Sequence, residues 1–200
     1  CKVIAKEFSL GSMDGFQFNI SVGYDLEGIK SEKIDNFLNT MQHAQDSEIF
    51  RSCKEYLLAH AALFENVTKE DIESISGDIC NSVTISTLHG CPPQEIERIA
   101  MYLITEKGFH TFIKCNPTLL GFEYARKMMD EMGYDYVAFG DFHFKDDLQY
   151  EDAVPMLARL MKVCEERKLE FGVKITNTFP VDVKQNELPS EEMYMSGKSL

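Results

Sequence analysis

Two lysines stand inside short apolar stretches of this chain, Lys114 in "TFIKCN" and Lys174 in "FGVKITN". Each is followed within three residues by an asparagine, Asn116 and Asn177. An ammonium group in an apolar strand is unfavourable unless it is paired or faces a polar opening. Two of them at matching positions point to a ligand with an anionic or carbonyl group. Three further pairs share the layout: Tyr24 and Asp25, Thr87 and His89, Asp141 and His143. Ordinary roles compete for several of these residues. Thr87 and Asn116 suit the caps of following helices, and His89 suits a surface loop. Cys91, ahead of Pro92, suits a packed thiol, and the phenylalanines of "DFHF" (141–144) suit packing at a rim.

The elements that would position these groups follow from periodicity. "FQFNISVGY" (16–24) alternates like a strand. Ile34, Phe37, Leu38 and Met41 recur at helical spacing, as do Ile49, Phe50, Cys53, Leu57 and Ala61. Thr68 and Asp71 have the spacing of a capping pair opening a short third helix. "SVTISTL" (82–88) is β-branched and strand-like. The helix after it opens at Pro92 and Pro93, carries Ile96, Ile99, Ala100, Leu103 and Ile104 on one face, and closes at Gly108. A strand at 111–116 precedes a helix with Leu120, Ala125, Met128, Met129 and Met132, ending at Gly133. "YDYVAFG" (134–140) reads as another strand. A helix from about Asp152 follows, with Val154, Leu157, Ala158, Met161 and Cys164 as its apolar set. "FGVKITN" (171–177) is the last clear strand.

Five βα units or near-units with connections too long for hairpins imply a parallel sheet with right-handed crossovers. No Gly-rich phosphate fingerprint follows any strand, which weakens an open nucleotide-binding sheet. The polar pairs all fall at strand C-terminal ends, which converge on one mouth in a (β/α) barrel. The expectation is therefore α/β, a partial (β/α)8 TIM barrel of about five units. Its strands begin near Phe16, Ser82, Thr111, Tyr134 and Phe171, adjacent in chain order, and residues 1–200 form a single domain.

A net charge of -13 with both signs intermixed argues against nucleic acid or an anionic membrane as partner. No apolar run approaches the roughly 20 residues that span a bilayer. The six cysteines, at 1, 53, 80, 91, 115 and 164, form no CxxC pair, favouring reduced thiols and a cytoplasmic setting over disulfides or a metal site. A start at Cys1 and an end at "MSGKSL" suggest a segment of something longer.

The stretches "STLHGCPPQEIERIA", "KCNPTLLGFEYARKMMDEMGYDYVAFGDFHFKDD" and "FGVKITNTFPVDVKQNELPSEEMYMSGKSL", with "SVGYDLEGI" near Tyr24, resemble the selenate reductase subunit family. These are large bacterial iron–sulphur flavoproteins, and the resemblance covers essentially the whole chain. That family is in turn distantly similar to dihydropyrimidine dehydrogenase, in which an FMN-binding barrel is joined to FAD, NADPH and iron–sulphur modules. The resemblance implies FMN in the intact barrel, with FAD, NAD(P)H and 4Fe-4S clusters elsewhere in the parent polypeptide. It places Lys174 and Thr176 at the flavin lysine strand and Asn116 at the carboxamide that contacts flavin or substrate. Asn177, Thr87 and Lys114 would join them, and Ser196 and Gly197 resemble a strand end that precedes the phosphate-binding loops. Asp141 departs from an asparagine of the pattern. The loop that bears an acid cysteine in those enzymes has no cysteine here, and His143 is its residue suited to give a proton near neutral pH.

The implied activity is reduction of a C=C or C=N bond in a small-molecule substrate, a purine- or pyrimidine-like heterocycle by analogy, although the family name points to selenate. The implied partners are the other domains of the same polypeptide; whether the chain forms a homo-oligomer stays open. Two other classes suit the residues. One is a Schiff-base aldolase-type barrel, with Lys174 activated by a second cation such as Lys114. The other is a non-catalytic barrel that docks redox modules.

Overall fold

The structure is a computed structural model of the chain, and it describes residues 1–86, 91–175, 178–186 and 188–195. In chain order its elements are α1 (Lys2–Glu7), β1 (Phe18–Val22), α2 (Leu26–Ile29), α3 (Glu32–Gln42), α4 (Glu48–Ala59) and α5 (Lys69–Glu73). There follow β2 (Cys80–Ile85), α6 (Pro93–Thr105), β3 (His110–Lys114), α7 (Phe122–Glu131), α8 (Phe142–Asp146), α9 (Tyr150–Arg167), β4 (Phe171–Lys174), β5 (Phe179–Asp182) and β6 (Glu192–Met195). The chain divides into two compact units, Cys1–Ile20 with Lys30–Ser82, and Ser21–Ile29 with Val83–Leu200.

The first unit is helical. Val3, Ala61, Val67 and Ile72 form its core, with Leu57, Leu58, Phe64 and Ile75 packed around them. The expected pair at Thr68 and Asp71 is a reciprocal capping box: the Thr68 hydroxyl accepts from Asp71 N–H at 3.2 Å, and the Asp71 carboxylate accepts from Thr68 N–H at 2.7 Å. Lys6 of α1 pairs with the same carboxylate. Glu7 accepts from the N–H groups of Glu65 and Asn66, both at 2.9 Å.

The second unit carries the chemistry. The four-stranded sheet of the chain has the order β1-β2-β3-β4, parallel and without reversal. That order is the one a (β/α) barrel section requires, whereas a doubly wound nucleotide-binding sheet reverses direction at a switch point. The sheet accordingly belongs to a partial TIM barrel. β3 and β4 are registered Thr111↔Phe171, Phe112↔Gly172, Ile113↔Val173 and Lys114↔Lys174.

α6 buries Ile96, Ile99, Ala100, Leu103 and Ile104, the face expected from periodicity, and adds Tyr102. Pro93 opens it, and Gly108, with φ +72°, turns the chain into β3. α9 is phased differently from expectation. Its buried residues are Ala153, Met156, Leu160 and Cys164, while Val154 and Met161 are about half exposed. On its outer side Arg159 makes a bidentate bridge to Glu97 of α6, Nε–Oε1 2.6 Å and Nη2–Oε2 2.7 Å.

"YDYVAFG" is not a strand, a correction to the five-strand reading. β3 pairs directly with β4, so no place for it exists between them. Its carbonyls are taken elsewhere. Arg126 of α7 donates to Val137 O at 2.6 Å and Tyr134 O at 3.0 Å, and Asp182 N–H of β5 donates to Ala138 O at 2.8 Å. Phe139 then packs under the Arg126 guanidinium, 4.7 Å from ring centroid to cation, in a cluster with Phe122, Phe144, Met129 and Val181. β5 and β6 form an antiparallel pair, Val181↔Met193, that the periodicity did not suggest. No helix among the described residues is long and apolar enough to cross a membrane.

Candidate functional site

Lys114 and Lys174 close adjacent parallel strands at the same level. Side chains two residues apart on a strand share a face, so the residues directly behind the lysines are Phe112 and Gly172. The aromatic ring crosses the glycine: a Cβ added at Gly172 would lie 2.8 Å from Phe112 Cδ1. The lysine pair therefore stands next to an aromatic surface that only a glycine allows. The opposite face of β3 presents Thr111 and Ile113, both buried.

Lys114 feels the charge of the ammonium group beside it. The proton on Lys114 is held below its ordinary pKa, first by burial of the side chain and second by the charge of Lys174. A third charge opposes the shift, that of Asp147. Asp147 follows α8 and is only 6% exposed. One of its oxygens accepts from the Thr118 hydroxyl at 2.7 Å and from the Asn116 carboxamide at 3.2 Å. Its backbone is also fixed, since Gln149 Nε2 donates to Asp147 O at 2.6 Å and to Phe144 O at 2.8 Å. Asn116 leads into the 3-10 turn Pro117–Leu120 without capping it through its side chain. Its amide is turned to Asp147 instead.

The site residues expected from sequence therefore divide. Lys114, Lys174 and Asn116 come together with Asp147 and Thr118, which sequence reasoning missed. Nothing in "FKDDLQYED" distinguishes Asp147 from Asp146 beside it, because burial is what separates them. His143 lies on α8, its Nε2 3.1 Å from Glu192 Oε1 of β6. Asp141 pairs with Lys145 one turn along, and this contact lowers its pKa. Asp25 accepts from Gly28 N–H at 2.8 Å and so serves the start of α2. Thr87, His89, Thr176, Asn177, Ser196 and Gly197 lie outside the described residues. Cys91 is half-buried, and none of the six cysteines is in a disulfide.

Charged and amide groups at the C-terminal ends of parallel strands, taken in chain order, define a TIM-barrel domain with its polar cluster at the active-site end. A family model described as "Oxidoreductase YgfK, N-terminal TIM-barrel domain" matches residues 1–200, and the chain belongs to that family. Two proteins of Escherichia coli, from strain K12 and from O157:H7, carry the name oxidoreductase YgfK and are each 42% identical to it over 198 residues. The alignment covers 92% of this chain and 19% of each relative, so the chain spans about a fifth of their length. No solved structure matches it significantly.

Proposed function

We propose that the chain is the barrel section of an NAD(P)H-dependent iron–sulphur flavoprotein, and that the intact barrel binds FMN at the mouth marked by Lys114 and Lys174. The observation that carries this reading is the in-register lysine pair beside the Phe112 ring. A flat ring system that gains negative charge on reduction needs a cation at one edge and an apolar surface against its plane. These residues suit both needs. Bound there, a flavin would supply the two-electron chemistry. Lys174 would place positive charge at its pyrimidine edge. Asn116 and Asn177 would hydrogen-bond flavin or substrate, Thr87 and Lys114 would line the opening, and Ser196 with Gly197 would lead to the phosphate. His143, polarised by Glu192, would hold the proton delivered to a C=C or C=N bond of a purine- or pyrimidine-like heterocycle. Electrons would reach the barrel from the nicotinamide cofactor through FAD and 4Fe-4S clusters of the same polypeptide.

Replacing Lys174 by Met in the full-length protein keeps the bulk of the stem and deletes the charge. FMN released on denaturation, or the flavin's reduction potential, should then fall. Turnover should drop by roughly 10²–10³, the loss seen for single preorganised donors. Unchanged FMN content and unchanged turnover would remove Lys174 from the mechanism.

The depressed pKa of Lys114 supports a second reading, in which an amine adds to a substrate carbonyl and expels water to form an imine. The sequence points to Lys174 as the nucleophile with Lys114 as the second cation; the lowered pKa makes Lys114 a candidate for the same step. Borohydride with a carbonyl substrate would fix the imine as a stable adduct, and peptide mass spectrometry would locate it.

A further inference from the structure

The helical unit carries an apolar surface that its own described residues leave uncovered. α1 is partly inverted. Its charged side chains are spent within the unit, Lys2 on Asp14, Lys6 on Asp71, and Glu7 on the N–H groups of Glu65 and Asn66. Its apolar side chains are left outside: Ile4 is 54% exposed, and Phe8, one turn on, is 68% exposed. Ile4 also borders a cavity of about 560 Å³ whose walls include Phe16, Phe18, Phe50, Leu57 and Phe64. Phe18 is itself 47% exposed. We propose that this surface docks another domain of the same polypeptide, and that the docked domain presents an uncharged apolar face with one bulky side chain seated in the cavity. The residues involved belong to the first unit and the lysine pair to the second, so the inference does not depend on the flavin reading.

The exposed groups form one patch. Ile4 and Phe18 border the same cavity, and Phe8 follows Ile4 at the spacing that makes helical neighbours. Single exposed apolar residues are ordinary, whereas a contiguous patch marks an interaction site. Charge then narrows the occupant. Lys2 and Asp14 stand at the cavity already paired with each other. Asp78, also on its lining, keeps its carboxylate mostly in solvent, 3.6 Å from His43. A charged group brought into the patch would lose water without gaining a counter-charge, which is strongly unfavourable. The partner face is therefore apolar. Walls with four phenylalanines suit an aromatic or long aliphatic side chain, the kind of anchor that carries most of an interface's energy. Length supplies the source of that face. The chain spans 19% of its relatives, so most of such a polypeptide lies outside this segment. A tethered domain meets the patch at high effective concentration and can hold it through a small contact. A second copy of the protein has no tether and needs a full-sized interface of its own.

The test uses the full-length protein. Ile4→p-benzoylphenylalanine places a photo-cross-linker at an exposed position, and irradiation is followed by peptide mass spectrometry. The expected product runs as a single polypeptide and joins position 4 to a peptide outside these 200 residues. A covalent dimer would identify a second copy as the occupant and overturn the proposal. Cross-links confined to the 200 residues would overturn it as well. Carbene footprinting of the unsubstituted protein gives an answer that needs no variant. Ile4, Phe8 and Phe18 should be labelled about tenfold less than in the same protein unfolded by denaturant, as expected for the buried centre of an interface. Labelling near half of the unfolded level, which their exposure in this segment alone implies, would mean that nothing covers them and would refute docking. Ile4→Arg should return Phe8 and Phe18 to that half-labelled level, because the new charge cannot be buried against an apolar face, while Ile4→Met should leave them protected. Protection that survives Ile4→Arg would rule out an uncharged partner face.

Discussion

At the scale of single residues, Lys114 is where function and stability pull in opposite directions. Its pKa in the folded chain lies below the ordinary 10.5 because of burial and then Lys174. Between the folded value and 10.5 the unfolded chain binds more protons, so stability rises with pH across that window. At neutral pH the penalty is present in full. Lys114→Met should therefore raise the stability of the protein, by an amount that solvent screening keeps small, while impairing ligand binding, the usual trade at a charged site. Its thermal midpoint would move up, and differential scanning calorimetry at pH 7 would show it; a lower midpoint would mean that Asp147 more than compensates Lys174. Asp71 behaves in the opposite sense. Its pairing with Lys6, followed by the Thr68 N–H, brings its pKa from 3.8 to about 2. The contribution of this contact is complete above pH 3.8 and is lost as pH falls through about 2. Hydrogen exchange of the α5 amides should accelerate across that interval in the native protein and lose this dependence in Asp71→Asn.

At the scale of elements, the junction of β3 with β4 depends on the absence of a side chain. Gly172→Val would drive Cβ into the Phe112 ring and force it from its position. Overpacking of this kind is expected to destabilise by about 1–3 kcal/mol, and denaturant unfolding would measure it. The segment 134–140 depends instead on one guanidinium. Arg126→Met should release Tyr134 O and Val137 O and loosen the Phe139 cluster, seen as faster exchange there with β3 unaffected. These two sites also show what sequence could and could not reveal. The strand that ends in Lys114 and the helix from Pro93 were legible because alternation and helical spacing report one-sided burial. "YDYVAFG" has the composition of a strand, but its carbonyls go to Arg126 and β5, partners eight or more residues away that no local pattern encodes. α9 was misphased because Leu157 and Met161 offer an apolar stripe as plausible as the buried one. Lys114 and Lys174 stood out as charges in apolar runs, whereas Asp147 lay hidden in an acidic loop until folding buried it.

At the scale of the whole molecule, four strands are half of an eight-stranded barrel, and the chain spans 19% of its relatives. A barrel cofactor is usually gripped through its phosphate by the last two βα loops. The isolated 200-residue chain should therefore retain little or no FMN when the full-length protein retains it, as absorbance of the purified chain would show; a stoichiometric yellow product would refute this. β4 ends the sheet order with Val173 and Ile175 exposed. Carbene footprinting should label both in the isolated chain and neither in the full-length protein, where a further strand is expected to cover that edge. The register of the sheet has a consequence for synthesis. β3 meets β4 across ~60 residues of intervening chain, so at ribosomal rates of 5–20 residues per second the strand waits roughly 3–12 s for its partner. During that wait "TFIKCN" is a short β-prone segment with one bare edge, a template on which nascent chains can misassemble. Lys114 interrupts it with a charge, the kind of gatekeeper that discourages such pairing. The same ammonium that weakens the finished fold thus protects the unfinished one on the ribosome.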